Sequence, residues 1–205
     1  MRVTVIDYKA GNLASVLKAR RHLGAEPEVT DSDLAVIARA ARIVLPGVGH
    51  FAATARLDAT GITSAVREAI AKGTPFLGIC VGMQWLFAGS SEAPEQPGLA
   101  AFPEPCARFP EGQEKVPHVG WNALDVNPNS RLLAGIASGE YVYFTHSYRA
   151  PVIESTAATS TYIEPFSAAV ERGNIFGTQF HPEKSGATGL TILRNFLSIS
   201  PEAAC

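Results

Sequence analysis

The stretch Gly78-Ile79-Cys80-Val81-Gly82 follows a short apolar run and precedes a helical pattern over residues 83–87. This order predicts a strand, a sharp turn and a helix, with Cys80 at the turn. A G-x-C-x-G pattern is the cysteine form of the nucleophile elbow, in which flanking glycines let neighbouring backbone approach a strained central residue. A cysteine at a helix N-terminus also meets the positive end of the macrodipole, which favours the thiolate. Taken alone, the pattern would more often be structural, because buried free cysteines are common.

The composition is that of an ordinary compact protein. The chain has 205 residues, of which 46% are hydrophobic and 18% charged, so it is long enough to bury a proper core. The net charge is −2 without a basic tract, so we expect no nucleic-acid partner. No apolar run approaches the roughly 18 residues that cross a bilayer, so we expect no membrane association.

The cysteines and histidines show no pairing pattern. Cys80, Cys106 and Cys205 make an odd number, which argues against a disulfide framework and for a reducing cytoplasm. The five histidines are scattered and form no H-x-x-x-H pair. The sequence therefore predicts no metal site and no cofactor.

Strand and helix patterns alternate in the first half of the chain. Strands are predicted at residues 3–6 and 42–45, and helices at residues 13–24 and 62–72, before the strand that leads into Cys80. Such alternation is typical of a parallel sheet covered by helices. The proline-rich stretch 89–112 predicts an irregular loop with at most one short strand.

The second half is rich in strand patterns, at residues 141–144, 168–172 and 175–180. Gly173-Asn174 between the last two predicts a hairpin turn. A final helix carries its apolar residues on one side and stops before Pro201. Residues 1–205 are therefore expected to form a single α/β domain: a central, mostly parallel sheet flanked by helices, with an antiparallel β extension.

A second chemical cluster is Gln179-Phe180-His181-Pro182-Glu183. Glu183 is close enough in sequence to turn back and accept a hydrogen bond from the His181 imidazole. A nucleophile, a base and a carboxylate that orients the base make a catalytic triad. Alone, His181 would more often be a loop-end histidine and Glu183 a solvated charge; together with Cys80 they predict nucleophilic catalysis.

A third cluster is the glycine-containing loop Gly47-Val48-Gly49, which follows a strand pattern. Two glycines can turn backbone N–H groups into a cavity, as an oxyanion hole requires. Two other interpretations stay open. The same glycines and Ala52 fit the dinucleotide fingerprint G-x-G-x-x-A, although that motif belongs to the first βα turn of its unit. The loop could also be a plain turn.

These three clusters together resemble the class I (triad) glutamine amidotransferase family. Four segments, at residues 7–13, 115–122, 143–148 and 179–186, are similar to the branch whose members serve histidine biosynthesis as glutaminase subunits. The similarity runs from about residue 3 to residue 198. The most specific segment is K-V-P-H-V-G-W-N at 115–122, which without the resemblance would read as a polar loop with a partly exposed tryptophan.

The resemblance implies a role for each matching residue. Cys80 would be the nucleophile, His181 the base and then the acid, and Glu183 the residue that orients His181. The other implied positions fall into three groups: oxyanion donors at Gly47, Val48, Gly49 and Val81; substrate-binding residues Gln84, Glu92, Ser147 and Tyr148; and partner-facing residues Asn12, Trp121, Asn122 and Lys184. The implied substrate is L-glutamine, and the implied partner is a (β/α)8-barrel cyclase subunit that forms a heterodimer with the chain.

Two alternatives remain at this point. The chain could be the glutaminase subunit of a pyridoxal phosphate synthase, which also pairs a small Cys-His-Glu subunit with a barrel. It could instead be a non-catalytic interaction module that keeps the fold.

Overall fold

An eight-stranded sheet forms the centre of the molecule in a computed structural model, which describes residues 2–9, 24, 26–112 and 114–200. Five neighbouring strands run parallel, in the order β2 (Glu26–Thr30), β1 (Arg2–Ile6), β3 (Ile43–Gly47), β4 (Phe76–Cys80) and β12 (Ile175–Thr178). The sheet continues antiparallel through β11 (Glu164–Arg172), β10 (Thr156–Tyr162) and β7 (Asp125–Val126). The predicted parallel sheet with an antiparallel extension is confirmed.

The described helices are short except for two. They are α1 (Leu34–Ala38), α2 (Ala55–Ala59), α3 (Ile62–Ala71), α4 (Val81–Gln84) and α5 (Gly186–Ser198), with 3-10 turns at Phe51–Thr54 and Pro182–Lys184. In α5, Ile192, Leu193, Phe196 and Leu197 are buried, as the apolar periodicity predicts. The helix expected at residues 13–24 falls on positions of which only Gly24 is described. None of the described helices is long and apolar enough to cross a membrane.

The strand order brings the three chemical clusters to one edge of the sheet. All residues of β3 and β4 are buried, as expected of parallel strands covered on both faces. Gly47 and Cys80, the last residues of β3 and β4, are direct partners in the parallel ladder. β12 is the other neighbour of β4, and the chain beyond its end leads to His181. The carboxyl ends of parallel strands are where α/β sheets place their ligands.

The turn between β11 and β12 fits the hairpin prediction. Arg172 and Ile175 are paired, and Gly173 between them has φ 55°, which glycine adopts without steric cost. This hairpin reverses the chain so that β12 enters the sheet parallel to β4.

Two short sheets lie outside the central one. β6 (His118–Ala123) pairs antiparallel with β8 (Tyr141–His146), and β5 (Ala107–Arg108) pairs with β9 (Tyr148–Arg149). The interpretation of residues 115–122 as a polar loop, made without the resemblance, is therefore wrong for residues 118–122, although Trp121 is partly exposed as that interpretation expects. His118 is buried while Val119 and Trp121 are exposed, so the segment is a strand covered on one face.

Candidate active site

The Cys80 turn has the strained geometry of a nucleophile elbow. Cys80 has φ 55° and ψ −110°, a conformation that costs a non-glycine residue on the order of 1–3 kcal/mol. A Cβ on Gly78 would overlap the carbonyl of Gly82, and a Cβ on Gly82 would overlap the carbonyl oxygen of Leu45. Both glycines are therefore required for close backbone approach. Because α4 has only four residues and not the predicted span, its macrodipole adds little to activation of the thiol.

A cavity of about 280 Å³ lies in front of Cys80, whose side chain is almost buried. Seven of the residues predicted to bind substrate or oxyanion line this cavity together with Cys80: Val48, Gly49, Val81, Gln84, Glu92, Ser147 and Tyr148. The Cys80 Sγ lies 4.0 Å from the Thr145 carbonyl oxygen and 3.7 Å from Gln179 Nε2. The structure thus brings the elbow and the predicted binding residues to one place.

His181 and Glu183 form a buried pair beside the cavity. His181 Nδ1 lies 2.8 Å from Glu183 Oε1, and both side chains are 1% exposed. Because a carboxylate only accepts, Nδ1 carries the proton and donates it to Glu183. The other ring nitrogen, Nε2, is buried and has no hydrogen-bond partner within the described residues. Glu183 therefore sets the orientation of the ring, and Nε2 is the nitrogen free for proton transfer.

The electrostatics of His181 link it to Cys80. Burial alone would lower the pKa of His181. Interactions with the Cys80 and Glu183 side chains outweigh burial and raise the pKa from 6.5 to about 10. Cys80 contributes the largest increase, as a hydrogen-bonding and charged neighbour, although Nε2 has no hydrogen bond of ordinary geometry within the described residues. Catalytic hydrogen bonds often shorten only when substrate is bound. The arrangement favours the protonated form of His181.

The glycine loop lies against the elbow. A Cβ on Gly47 would overlap the hydroxyl of Tyr8 and come within 2.8 Å of the Val81 Cβ. Gly49 has φ 110°, which side-chain-bearing residues rarely adopt. Val81 is the first residue of α4, where an N–H has no intrahelical acceptor. Two candidate N–H donors thus belong to segments that meet at Cys80.

The Gln84 side chain is held in place by hydrogen bonds of its amide nitrogen. Its Nε2 donates to the Tyr148 carbonyl at 2.9 Å and to Gln179 Oε1 at 3.1 Å. The Gln84 Oε1 is left as the acceptor that a ligand amide could use. Glu92 is similarly anchored through one oxygen, Oε2, which accepts from the Phe51 N–H at 2.7 Å. Its other oxygen is available for a cationic group.

His118 and His146 form a buried pair of imidazoles, of which His146 lines the cavity. His118 Nδ1 and His146 Nε2 are 3.1 Å apart, and His146 Nδ1 lies 2.9 Å from the Tyr148 carbonyl oxygen. Since that oxygen only accepts, His146 donates through Nδ1 and accepts from His118 through Nε2. Burial lowers the pKa of His118 to about 4 and, with smaller contributions from its surroundings, that of His146 to about 3.

The predicted partner-facing residues differ in their exposure. Trp121 is 54% exposed, and its ring lies 6.1 Å from that of Tyr143. The Lys184 ammonium lies 5.6 Å from the centre of the same Tyr143 ring. The Asn122 side chain is engaged within the chain, because its Nδ2 donates to the Thr161 carbonyl. Asn12 lies outside the described residues.

Several residues that contact the site were not assigned a role from the sequence, among them Gln179, Tyr8 and His146. Gln179 touches the Cys80 sulfur, the Tyr8 hydroxyl lies at Gly47, and His146 lines the cavity. A signal existed for Gln179, because it precedes His181 by two positions, and alternate residues of a strand share a face. The position of Tyr8 depends on β1 lying beside β3, which local sequence does not state.

Comparisons with known proteins identify the family. Residues 4–199 match the model of the glutamine amidotransferase class-I family. Imidazole glycerol phosphate synthase subunit HisH of Moorella thermoacetica is 45% identical over 197 residues, covering 95% of this chain and 93% of the relative. The subunit HisH of Methanothermobacter thermautotrophicus is 46% identical over 199 residues, which cover 96% of this chain and 98% of the relative. The chain belongs to the HisH branch of the class-I glutamine amidotransferases.

The predicted family and branch are thereby confirmed, and the pyridoxal phosphate synthase alternative is set aside. The fold agrees with a solved structure described as a glutamine amidotransferase, at a TM-score of 0.75 and 21% identity, with 95% of this chain and 96% of that chain covered. The glycine loop of this HisH-branch chain follows β3, the third strand along the chain, and faces the cysteine, which disfavours the dinucleotide-fingerprint interpretation.

Proposed function

We propose that this chain hydrolyses L-glutamine to glutamate and ammonia in the Cys80 cavity and supplies the ammonia to a (β/α)8-barrel cyclase subunit. The observation that carries the proposal is the convergence of Cys80, the Gly47–Gly49 loop and the buried His181–Glu183 pair at the ends of three adjacent strands. Membership of the class-I family supports the reaction class. The names of the HisH relatives support imidazole glycerol phosphate synthase, of histidine biosynthesis, as the enzyme that the two subunits form.

The first step is acylation of the cysteine. The Cys80 thiolate attacks the side-chain carbonyl of glutamine, and the carbonyl oxygen becomes an oxyanion. N–H groups of the Gly49 region and of Val81 hold that oxyanion, and a single such donor is typically worth about 3 kcal/mol of barrier. The His181 imidazolium gives its Nε2 proton to the leaving nitrogen, the C–N bond breaks, and ammonia departs.

The second step is hydrolysis of the glutamyl thioester. Neutral His181 now accepts a proton from water through Nε2, and the resulting hydroxide attacks the thioester carbonyl. The C–S bond breaks, the product's new side-chain carboxyl gives its proton to water as glutamate leaves, and the thiolate beside an imidazolium is restored. Throughout both steps Glu183 accepts from Nδ1, so the same tautomer and ring orientation are kept.

Substrate recognition uses the free ends of anchored side chains. The unengaged Glu92 oxygen suits the α-ammonium group of glutamine, and Gln84 Oε1 suits its side-chain amide. Ser147 and Tyr148 line the same cavity and are proposed to hold the substrate carboxylate. Anchoring at the other end keeps these groups in place before the substrate arrives, which lowers the entropic cost of binding.

Hydrolysis of glutamine has to be coupled to the reaction in the barrel partner. Ammonia released into water would be protonated and lost as a nucleophile, so it has to reach the second site directly. The surface of Trp121 and Lys184 lies next to the turn that carries Glu183, and it is the proposed interface in a heterodimer. In the barrel, ammonia would convert a phosphoribulosyl formimino carboxamide ribonucleotide to imidazole glycerol phosphate and an aminoimidazole carboxamide ribotide. A cytoplasmic location fits this pathway.

The test is ammonia release from glutamine, measured for the chain alone and for its complex with the barrel subunit and nucleotide ligand. We expect a low rate alone and a strongly stimulated rate in the loaded complex. Labelling of Cys80 by a glutamine analogue separates this proposal from the non-catalytic module. No ammonia release in either state, together with no labelling, would favour the module.

A further inference from the structure

The Cys80 sulfur has a hydrogen-bond neighbour that the triad does not include. Gln179 Nε2 lies 3.7 Å from Cys80 Sγ, within the range of N–H to sulfur contacts. Gln179 is fully buried, and it follows the last residue of β12. Its backbone N–H donates to the Ala168 carbonyl at 2.8 Å, so the residue is held at both ends.

The orientation of the Gln179 amide is fixed by a second glutamine. Gln84 Nε2 donates to Gln179 Oε1 at 3.1 Å, which assigns the oxygen to the Gln84 side and the N–H2 group to the sulfur side. Gln84 itself is fixed by its second bond, to the Tyr148 carbonyl. An amide turned the other way would place two N–H2 groups against each other. The hydrogen bonds of Gln84 therefore require the Gln179 N–H2 group to face the Cys80 sulfur.

A neutral donor in this place favours one ionisation state of the cysteine. A hydrogen bond to the charged form of an acid stabilises that form, and inside a protein the effect exceeds that in water. The thiol has another contact, with the Thr145 carbonyl at 4.0 Å, which suits the neutral form because only a thiol can donate to it. The two contacts act in opposite directions, and Gln179 is the one that supports the thiolate.

We infer that Gln179 is a hydrogen-bond donor to the nucleophile, holding the Cys80 sulfur in its attacking position and stabilising it as thiolate. The inference rests on the proposed function. In acylation the donor keeps the thiolate ready and aimed at the cavity. In hydrolysis of the thioester it meets the sulfur again as the C–S bond breaks, so it assists the departure of the thiolate.

Other titratable groups near the sulfur shape the same equilibrium. His181 follows β12, Tyr8 follows β1, and both interact electrostatically with Cys80. His146 on β8 and Glu92 line the cavity. None of these groups contacts the Gln179 amide in the described hydrogen-bond network, so replacement of Gln179 leaves them in place.

The experiment measures alkylation of Cys80 by iodoacetamide as a function of pH, in the folded chain with and without its barrel partner. The variants are Gln179→Met, which keeps length and removes the donor, and Gln179→Glu, which keeps shape and replaces the donor by an acceptor. Thr178→Val is the matched control, because the buried Thr178 hydroxyl has no hydrogen-bond partner within the described residues. Alkylation of Cys106 is excluded by mapping the labelled peptide.

We expect Gln179→Met to slow alkylation at pH 7 by about 10-fold and to move the midpoint of the pH profile upward by about one unit. Gln179→Glu should slow it more, and Thr178→Val should match the original chain. The kcat for glutamine should fall by a larger factor than KM rises, since the lost donor contacts sulfur and Gln84 keeps its bond to the Tyr148 carbonyl. A folded Gln179 variant that keeps the original pH profile overturns the inference. If the unsubstituted chain releases no ammonia in the loaded complex, the proposed function fails instead.

Discussion

The imidazole of His181 and the carboxylate of Glu183 lie 2.8 Å apart, with both side chains 1% exposed. Only Pro182 separates the two residues in sequence, and the turn at this proline brings the Glu183 carboxylate back to the His181 ring. Of the two nitrogens of the His181 ring, the pair engages Nδ1, and Nε2 has no hydrogen-bond partner among the described residues.

Glu183→Gln should therefore reduce glutamine hydrolysis while preserving the fold. The amide can still meet Nδ1, but it no longer stabilises the imidazolium or enforces its tautomer. We expect kcat to fall on the order of 10²–10⁴-fold, the range of general acid–base catalysis, with KM nearly unchanged. Steady-state ammonia release in the loaded complex measures this. A loss below about 5-fold would contradict the role given to Glu183.

The elbow glycine Gly78 should not tolerate a methyl group. Its Cβ would meet backbone of Gly82 and Met83, which cannot move without breaking the turn. Gly78→Ala is expected to lower the free energy of unfolding by about 3 kcal/mol or more. Gly112→Ala is the matched control, since its Cβ would have only an ordinary contact, 3.6 Å from Ile163. Urea unfolding of both variants makes the comparison, and equal stabilities would count against the close approach.

Stability should fall in mild acid because of the buried His118–His146 pair. Both pKa values are lowered by burial, to about 4 and about 3, against 6.5 in an unfolded chain. Between about pH 6 and pH 4 the unfolded state binds two protons that the folded state does not, so stability drops with falling pH. The slope can reach about 2.7 kcal/mol per pH unit for the two groups.

His181 does not add to this acid slope. Its pKa is raised, to about 10, so its stabilisation is complete below 6.5 and is lost as the pH rises toward 10. His118→Phe, which keeps a ring between Phe144 and Tyr162, should roughly halve the acid slope in denaturant titrations. An unaltered slope in His118→Phe would refute the assignment.

Trp121→Ala should weaken association with the barrel subunit more than it affects intrinsic chemistry. A large exposed aromatic ring that packs edge to face against a neighbouring ring is the kind of side chain that anchors an interface. We expect Kd to rise roughly 30-fold, measured by calorimetry with the isolated partner. Val152→Ala, at an exposed apolar position outside the β6–β8 sheet, serves as control. Unchanged affinity and stimulation would remove Trp121 from the interface.

The parts of this structure that could be predicted from sequence are those that depend on residues close together in the chain. The elbow needs glycines at two fixed positions because the backbone passes itself there, and the sequence shows them directly. The β11–β12 turn is likewise local, since Gly173 has the required positive φ. The apolar strands and helix α5 follow from periodicity alone.

The parts that could not be predicted depend on distant pairing. β6 is interrupted by Gly120 and follows Pro117, so its strand character appears only when β8 lies beside it. The contact of Gln179 with Cys80 requires β12 next to β4, although the two strands are almost a hundred residues apart. Cys106 is buried in the core, and this burial raises the pKa of its thiol.

The most direct test of the account is Cys80→Ala in the complex with the barrel subunit, assayed with glutamine and separately with an ammonium salt. The account predicts that synthesis from glutamine is abolished while synthesis from ammonia persists at the original rate. Equal loss of both activities, or continued use of glutamine, would contradict the claim that the Cys80 thiolate attacks glutamine at a separate, ammonia-generating site.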